Sequence, residues 1–170
     1  IDTECPREDV KRAYLFACYC GLRLSDVYAL RWKDIVQDGE QYRMSTVMQK
    51  TTTPIYLPLS RHAVRWLPER NGAEDGLHVF AGLPAEPNIN KVLAKWMATA
   101  GINKKITYHT SRHTFATMLL TLGADLYTVS KLLGHSQIKN TQVYAEIINR
   151  RKVEAVNLAD NVFDTDDNLL

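Results

Sequence analysis

Four short stretches of this 170-residue chain carry side chains suited to phosphate chemistry: Gly21-Leu22-Arg23-Leu24-Ser25-Asp26, Lys50 ahead of Thr51-Thr52-Thr53, His109-Thr110-Ser111-Arg112-His113, and Leu132-Leu133-Gly134-His135 followed by Tyr144. A phosphodiester under attack spreads negative charge over its non-bridging oxygens, and a guanidinium offers planar, paired donors that match them. An imidazole moves protons near neutral pH. A phenol, with a free pKa of about 10, becomes a usable nucleophile when positive charge stands beside it. His109 precedes Arg112 by three residues, so both can point at one site from a single helical turn.

Taken singly, each stretch has an ordinary reading. An arginine after a glycine turn or a lysine in a hairpin is usually solvated. His109 and His113 stand at i, i+4 and could hold zinc, but no glutamate lies between them as in HExxH and the sequence offers no convincing third ligand. No metal and no cofactor is expected. Seven of the eight tyrosines (Tyr14, Tyr19, Tyr28, Tyr42, Tyr56, Tyr108 and Tyr127) fit core or half-buried positions, which leaves Tyr144, shortly after Gly134-His135. Taken together, the order and spacing of the four stretches resemble the tyrosine recombinase family of phage-integrase type. The likeness runs from the helix before Arg23 to the helix after Tyr144.

The resemblance implies an active site of Arg23, Lys50, His109, Arg112, His135 and Tyr144, with none substituted. In it Arg23 and Arg112 clamp the phosphate, and Tyr144 attacks it to give a 3′-phosphotyrosyl link. Lys50 protonates the departing 5′ oxygen, His109 accepts or returns the tyrosine proton, and His135 donates to a phosphate oxygen. Asp26 orients Arg23 or caps its helix, and His113 packs as a structural residue, both in supporting roles. The implied activity is site-specific recombination that integrates or excises a mobile genetic element, in a tetramer on double-stranded DNA that exchanges a C-terminal segment between protomers. Two other readings share this chemistry or fold: a type IB topoisomerase and a non-catalytic DNA-binding module. Without DNA, Tyr144 is expected to be withdrawn from the arginines or poorly ordered.

The elements that must position these residues are mostly helical. Pro6, the acidic Glu8 and Asp9, and Gly21 bracket a helix over 7–20, and Ser25 is expected to cap a short helix through Leu30. Alternation in Tyr42–Met48 and the run Ile55–Leu59 predict a small antiparallel sheet with Lys50 in its connecting turn. Helical periodicity then covers about 61–70, 88–100, 110–122 and 125–133, the last three closed by Gly101, Gly123 and Gly134, with further helical stretches near 139–145 and 148–158. The fold class is α+β, mainly α: a helical catalytic domain with a small antiparallel sheet.

Composition sets the bounds. With 45% hydrophobic and 24% charged residues, the chain is an ordinary globular domain, expected to be a cytosolic (cytoplasmic) fragment of a longer protein with neither signal peptide nor membrane span. The catalytic domain is assigned to 1–159 and an acidic tail to 160–170, with an N-terminal DNA-binding domain lying outside this stretch of chain. The net charge of +2 conceals an asymmetry. The tail holds Asp160, Asp164, Asp166 and Asp167, so residues 1–159 carry 21 basic against 15 acidic groups. That moderately basic body suits a DNA partner. Lys91, Lys95, Lys104, Lys105, Lys131 and Lys139 either meet phosphates or solvate outer helix faces. Val156, Leu158, Val162 and Phe163 could supply a contact between protomers. Cys5, Cys18 and Cys20 form no CxxC and read as reduced packing residues.

Overall fold

A computed structural model describes residues 2–50, 52–135, 137–144, 149, 152, 153 and 155–157. The acidic tail, Leu158, Val162 and Phe163 lie outside the described residues, as does much of the stretch from 145 onward.

Helix α1 (Glu8–Cys20) is the central post of the body. Glu8 and Asp9 lie in its first turn, where acidic groups favour the positive end of the helix dipole, and Val10, Ala13, Phe16, Ala17 and Cys20 are fully buried. It ends at Gly21 in the left-handed conformation (φ +71°), whose N–H donates to the Ala17 carbonyl at 2.8 Å. A side chain at position 21 would stand 2.5 Å from a ring carbon of Phe115, so glycine also permits the close approach of the next wall of the site.

Helix α2 spans Leu24–Ala29 and begins two residues earlier than a cap at Ser25 would place it. Arg23 occupies the cap position, and Asp26, not Ser25, closes the turn by accepting the Arg23 N–H. A 3-10 turn over Trp32–Asp34 leads into three strands, β1 (Ile35–Asp38), β2 (Gln41–Val47) and β3 (Pro54–Leu59), antiparallel and in that order. Strand β1 is short and half-exposed, with no alternation to signal it. Strand β3 buries Ile55, Leu57 and Leu59 on one face and, as an edge strand, tolerates Pro54 and Pro58.

Helix α3 covers only Arg61–Arg65, capped by the Ser60 hydroxyl, because Pro68 disfavours helical backbone at Leu67. Helix α4 (Glu86–Thr99) starts with Pro87 in its first turn, where the missing N–H is not needed. Helix α5 (Tyr108–Thr121) and helix α6 (Leu126–Leu132), the latter capped by the Asp125 carboxylate, complete the body before a 3-10 helix over Ile138–Tyr144.

Among the described residues two buried clusters result. The larger runs from Cys5 to Tyr108 through α1, the sheet and α4, and contains all three cysteines, which are free. The smaller consists of Phe115, Ala116, Leu120, Val129, Leu133 and Tyr144. Helix α5 belongs to both, through Tyr108 at one end and Phe115 onward at the other. Two tyrosines expected at core or half-buried positions are exposed: Tyr56 on the outer face of β3 and Tyr127 on α6 are 60% and 61% exposed, each with its ring beneath a cation, Arg43 and Lys131 respectively. Among the described residues no helix is long and apolar enough to cross a membrane.

Candidate active site

Arg112 is the buried centre of the site, 3% exposed on the inner face of α5. Its Nη1 donates to the Gly21 carbonyl at 2.7 Å and its Nη2 to the Leu133 carbonyl at 2.5 Å. Both acceptors close the C-terminal ends of helices, α1 and α6, where free carbonyls gather partial negative charge, so a cation there satisfies them and is itself stabilised. Burial first, and then the charge of Arg23, bring the Arg112 pKa down to about 10, which leaves it protonated at neutral pH. Two of its five N–H donors are committed to these carbonyls, and the guanidinium lines the cleft described below.

Arg23 stands two residues beyond Gly21. Among the described residues its side chain hydrogen-bonds only to the Met48 thioether (3.2 Å), a weak acceptor. Asp26, 2% exposed, accepts the Arg23 N–H with Oδ2 (3.3 Å) and the Gln49 N–H with Oδ1 (2.8 Å). One buried carboxylate thus ties the start of α2 to the loop after β2, and with it Lys50, which lies exposed at the rim.

Gly134 and His135 close α6 as a Schellman turn: the Gly134 N–H reaches the Lys131 carbonyl and the His135 N–H reaches the Ser130 carbonyl, with Gly134 at φ +60°. A Cβ on Gly134 would lie 2.5 Å from the Met48 sulfur, so the turn carrying His135 rests directly on the residue that meets Arg23. Burial, followed by the charges of Arg112 and Arg23, pushes the His135 pKa down to about 4, and its ring is neutral at neutral pH. Its Nδ1 lies 2.8 Å from the hydroxyl of Thr141.

Tyr144 ends the 3-10 helix and is 9% exposed, packed into the smaller core. Its hydroxyl lies 2.7 Å from Nδ1 of His113. Burial raises its pKa above the ordinary value, with the Arg112 charge only partly opposing. The expectation for His113 is corrected here: it is exposed on the cleft face of α5 and is the phenol's partner, because position 113 follows Arg112 on the edge that the 3-10 helix approaches. His109, expected beside the phenol, instead sets its ring edge-on to His113 with centroids 4.7 Å apart. The His109 pKa is lowered, chiefly by burial and then by His113 and the two arginines. Among the described residues no group of three or more His, Cys, Asp or Glu side chains is arranged to hold a metal ion.

Arg23, Lys50, His109, Arg112, His135 and Tyr144 all line one cleft of about 510 Å³, together with His113, Asn140 and Val143. Of these additions, His113 was legible as a neighbour of Arg112 on one helix, whereas Asn140 and Val143 enter only through the fold of the 3-10 helix. Thr141, buried behind the cleft, also went unremarked; its signal is a place three residues before Tyr144.

A mainly helical body whose small sheet presents a lysine to one buried and one partly open arginine and a sequestered phenol has the layout of an integrase catalytic domain. Residues 2–151 match the model of the phage integrase family, and the chain belongs to that family. It is 34% identical over 158 residues to the tyrosine recombinase XerC of Escherichia coli O127:H6 (strain E2348/69 / EPEC), covering 86% of this chain and 52% of that protein. The chain therefore spans about half the length of the curated relatives it matches. Among solved structures it resembles the XerH site-specific recombinase bound to difH substrate in a pre-cleavage complex (TM-score 0.67, 21% identity, 81% of this chain and 43% of that one). It also resembles the catalytic domain of bacteriophage HP1 integrase (TM-score 0.62, 20% identity, 86% and 78%).

Proposed function

We propose that this chain is the catalytic part of a site-specific DNA recombinase that cuts and rejoins strands through a covalent bond to Tyr144, serving integration or excision of a mobile genetic element. The observation that carries the reading is the single cleft in which the Tyr144 phenol, two guanidiniums, three imidazoles and Lys50 converge.

In the proposed reaction a DNA phosphate enters between Arg23 and Arg112, whose charges offset the negative charge that grows on its oxygens. His135 adds a donor to the same oxygens. The Tyr144 oxygen attacks phosphorus as its proton passes to Nδ1 of His113, 2.7 Å away. The bond from phosphorus to the 5′ oxygen breaks, and Lys50 supplies the proton that makes this oxygen a hydroxyl. The DNA is left joined to the enzyme as a 3′-phosphotyrosyl ester. A 5′-hydroxyl from the partner duplex then attacks that ester, returning the phenol and reversing each proton transfer. Each step exchanges one phosphodiester for another, so no nucleotide needs to be hydrolysed. The partners are double-stranded DNA and other protomers, assembled as a tetramer on two sites and acting in the cytoplasm, where such DNA resides.

The test uses the full-length protein on nicked suicide duplexes selected from a random library for binding to it. Wild type is expected to give a denaturation-resistant protein–DNA adduct, and Tyr144→Phe none. No adduct on any selected duplex, or an equal yield from the phenylalanine variant, removes the catalytic assignment. Relaxation of supercoiled plasmid without exchange between defined sites identifies a topoisomerase instead.

A further inference from the structure

His135 and Tyr144 line the cleft, but the residue between them that touches His135 does not. Thr141 is completely buried, and its hydroxyl lies 2.8 Å from Nδ1 of His135, its only side-chain hydrogen-bond partner among the described residues. A hydroxyl shut away from water has to donate its proton somewhere. Thr99 and Thr114 donate to carbonyls one helical turn back, Lys95 and Thr110 respectively. Thr141 instead faces a ring nitrogen. If its O–H donates to Nδ1, that nitrogen must be the bare one, and the ring proton sits on Nε2. The opposite arrangement, Nδ1–H donating to the threonine, strands the hydroxyl proton and leaves Nε2 as a lone pair.

We infer that Thr141 is a positioning residue that selects the Nε2–H tautomer of His135, so that a neutral imidazole presents a donor, and not a lone pair, to an anion held by Arg23 and Arg112. The identity of that anion as a DNA phosphate rests on the proposed recombinase reading; the tautomer does not. The low pKa of His135 gives the choice its weight, since a ring that stays neutral has only one N–H to place.

A second consequence follows from the helix type. In a 3-10 helix residues i and i+3 eclipse one another, so Thr141 and Tyr144 project from the same side of Ile138–Tyr144. Both are buried, while Gln142 and Val143 between them are exposed. The hydroxyl that sets the donor and the phenol that attacks therefore dock as one unit. His135 is armed only while the turn bearing the nucleophile is seated.

The tautomer can be read in the DNA-free protein from long-range ¹H–¹⁵N correlations of labelled histidine. Wild type and Thr141→Ser are expected to show His135 as Nε2–H, and Thr141→Val to lose that preference. On cognate suicide duplexes Thr141→Val is expected to slow adduct formation about 10- to 100-fold, as loss of a partner behind a working side chain does elsewhere. Thr141→Ser should restore the rate, and the valine change should have little further effect in a His135→Gln background. An Nδ1–H ring in wild type, or an unaltered Nε2–H ring in the valine variant, overturns the inference. Should the valine variant fail to fold, the wild-type tautomer alone decides. An Nε2–H ring governed by Thr141 in a protein that never forms an adduct would remove the recombinase reading and leave the threonine's role standing.

Discussion

Nδ1 of His113 lies 2.7 Å from the phenol oxygen of Tyr144, and among the described residues neither guanidinium hydrogen-bonds to that oxygen. The Tyr144 phenol is thus held by a neighbour of Arg112 and not by Arg112 itself. Burial keeps it a neutral phenol, since the nearby charge only partly offsets desolvation. In the proposed reaction the His113 imidazole takes the phenol proton as the bond to phosphorus forms.

Replacing His113 should therefore be felt in the first chemical step. His113→Ala is expected to slow adduct formation by about 100-fold, the scale of a lost general base. Single-turnover cleavage on a cognate suicide duplex measures it, and a rate equal to wild type would show that the contact is incidental.

The two arginines should separate when stability and activity are measured side by side. Arg112→Gln removes charge-assisted bonds to the closing carbonyls of α1 and α6, and urea denaturation should show a loss of about 2–3 kcal/mol. Arg23→Gln gives up only a thioether contact and should leave stability within about 0.5 kcal/mol of wild type. Both variants should fail to form adduct. Equal stability losses would contradict the buried and open roles drawn for them.

Lys50 is assigned the leaving-group proton, and a leaving group that needs no proton tests it. A thiol ionises at about 8.5, far more readily than the 5′-hydroxyl of a deoxyribose. Lys50→Ala should be slow on an ordinary duplex and recover on one with sulfur in place of the bridging 5′ oxygen. Asp26→Asn, which disturbs the tie between Arg23 and Gln49, should be slow on both substrates. If the sulfur substrate fails to rescue the alanine variant, Lys50 acts in some other way.

Acid should destabilise the fold through His135. The folded ring has a pKa of about 4 against the ordinary 6.5 of a free imidazole, so between those values the unfolded chain binds a proton that the folded protein refuses. Stability is then full above about 6.5 and falls as pH drops toward 4, with His109, also lowered, acting in the same direction. The urea midpoint should fall less steeply across that window in His135→Gln. Parallel curves for the two proteins would show that the histidine's titration is not linked to folding.

Where the sequence was informative, the signal was local. Gly21 and Gly134 mark helix ends because a positive φ was needed there, and His109 and Arg112 share a cleft because three residues are one turn. What stayed hidden depends on approach between distant segments. His113 reads as a packing residue until the chain 31 positions later brings Tyr144 to it, and Asp26 reads as a cap until Gln49 arrives from the hairpin. Strand β1 escaped notice because Ile35–Asp38 is short and without alternation, and α3 stops at Arg65 for a proline three residues further on. Tyr56 and Tyr127 fit core or half-buried positions by their strand and helix spacing, but each sits under a cation at the surface.

The division of the interior into two clusters bears on where inactivating alleles should map. Arg23 and Lys50 hang from the larger core, Tyr144 is part of the smaller one, and α5 contributes buried residues to both. Among the described residues the smaller cluster has only six buried members, so it is expected to loosen by itself while the rest stays native. A change such as Leu120→Ala, remote from the cleft, would then yield a protein that is soluble, folded by most measures and catalytically dead. A genetic screen would record it as an active-site defect, although no side chain that meets substrate had been touched.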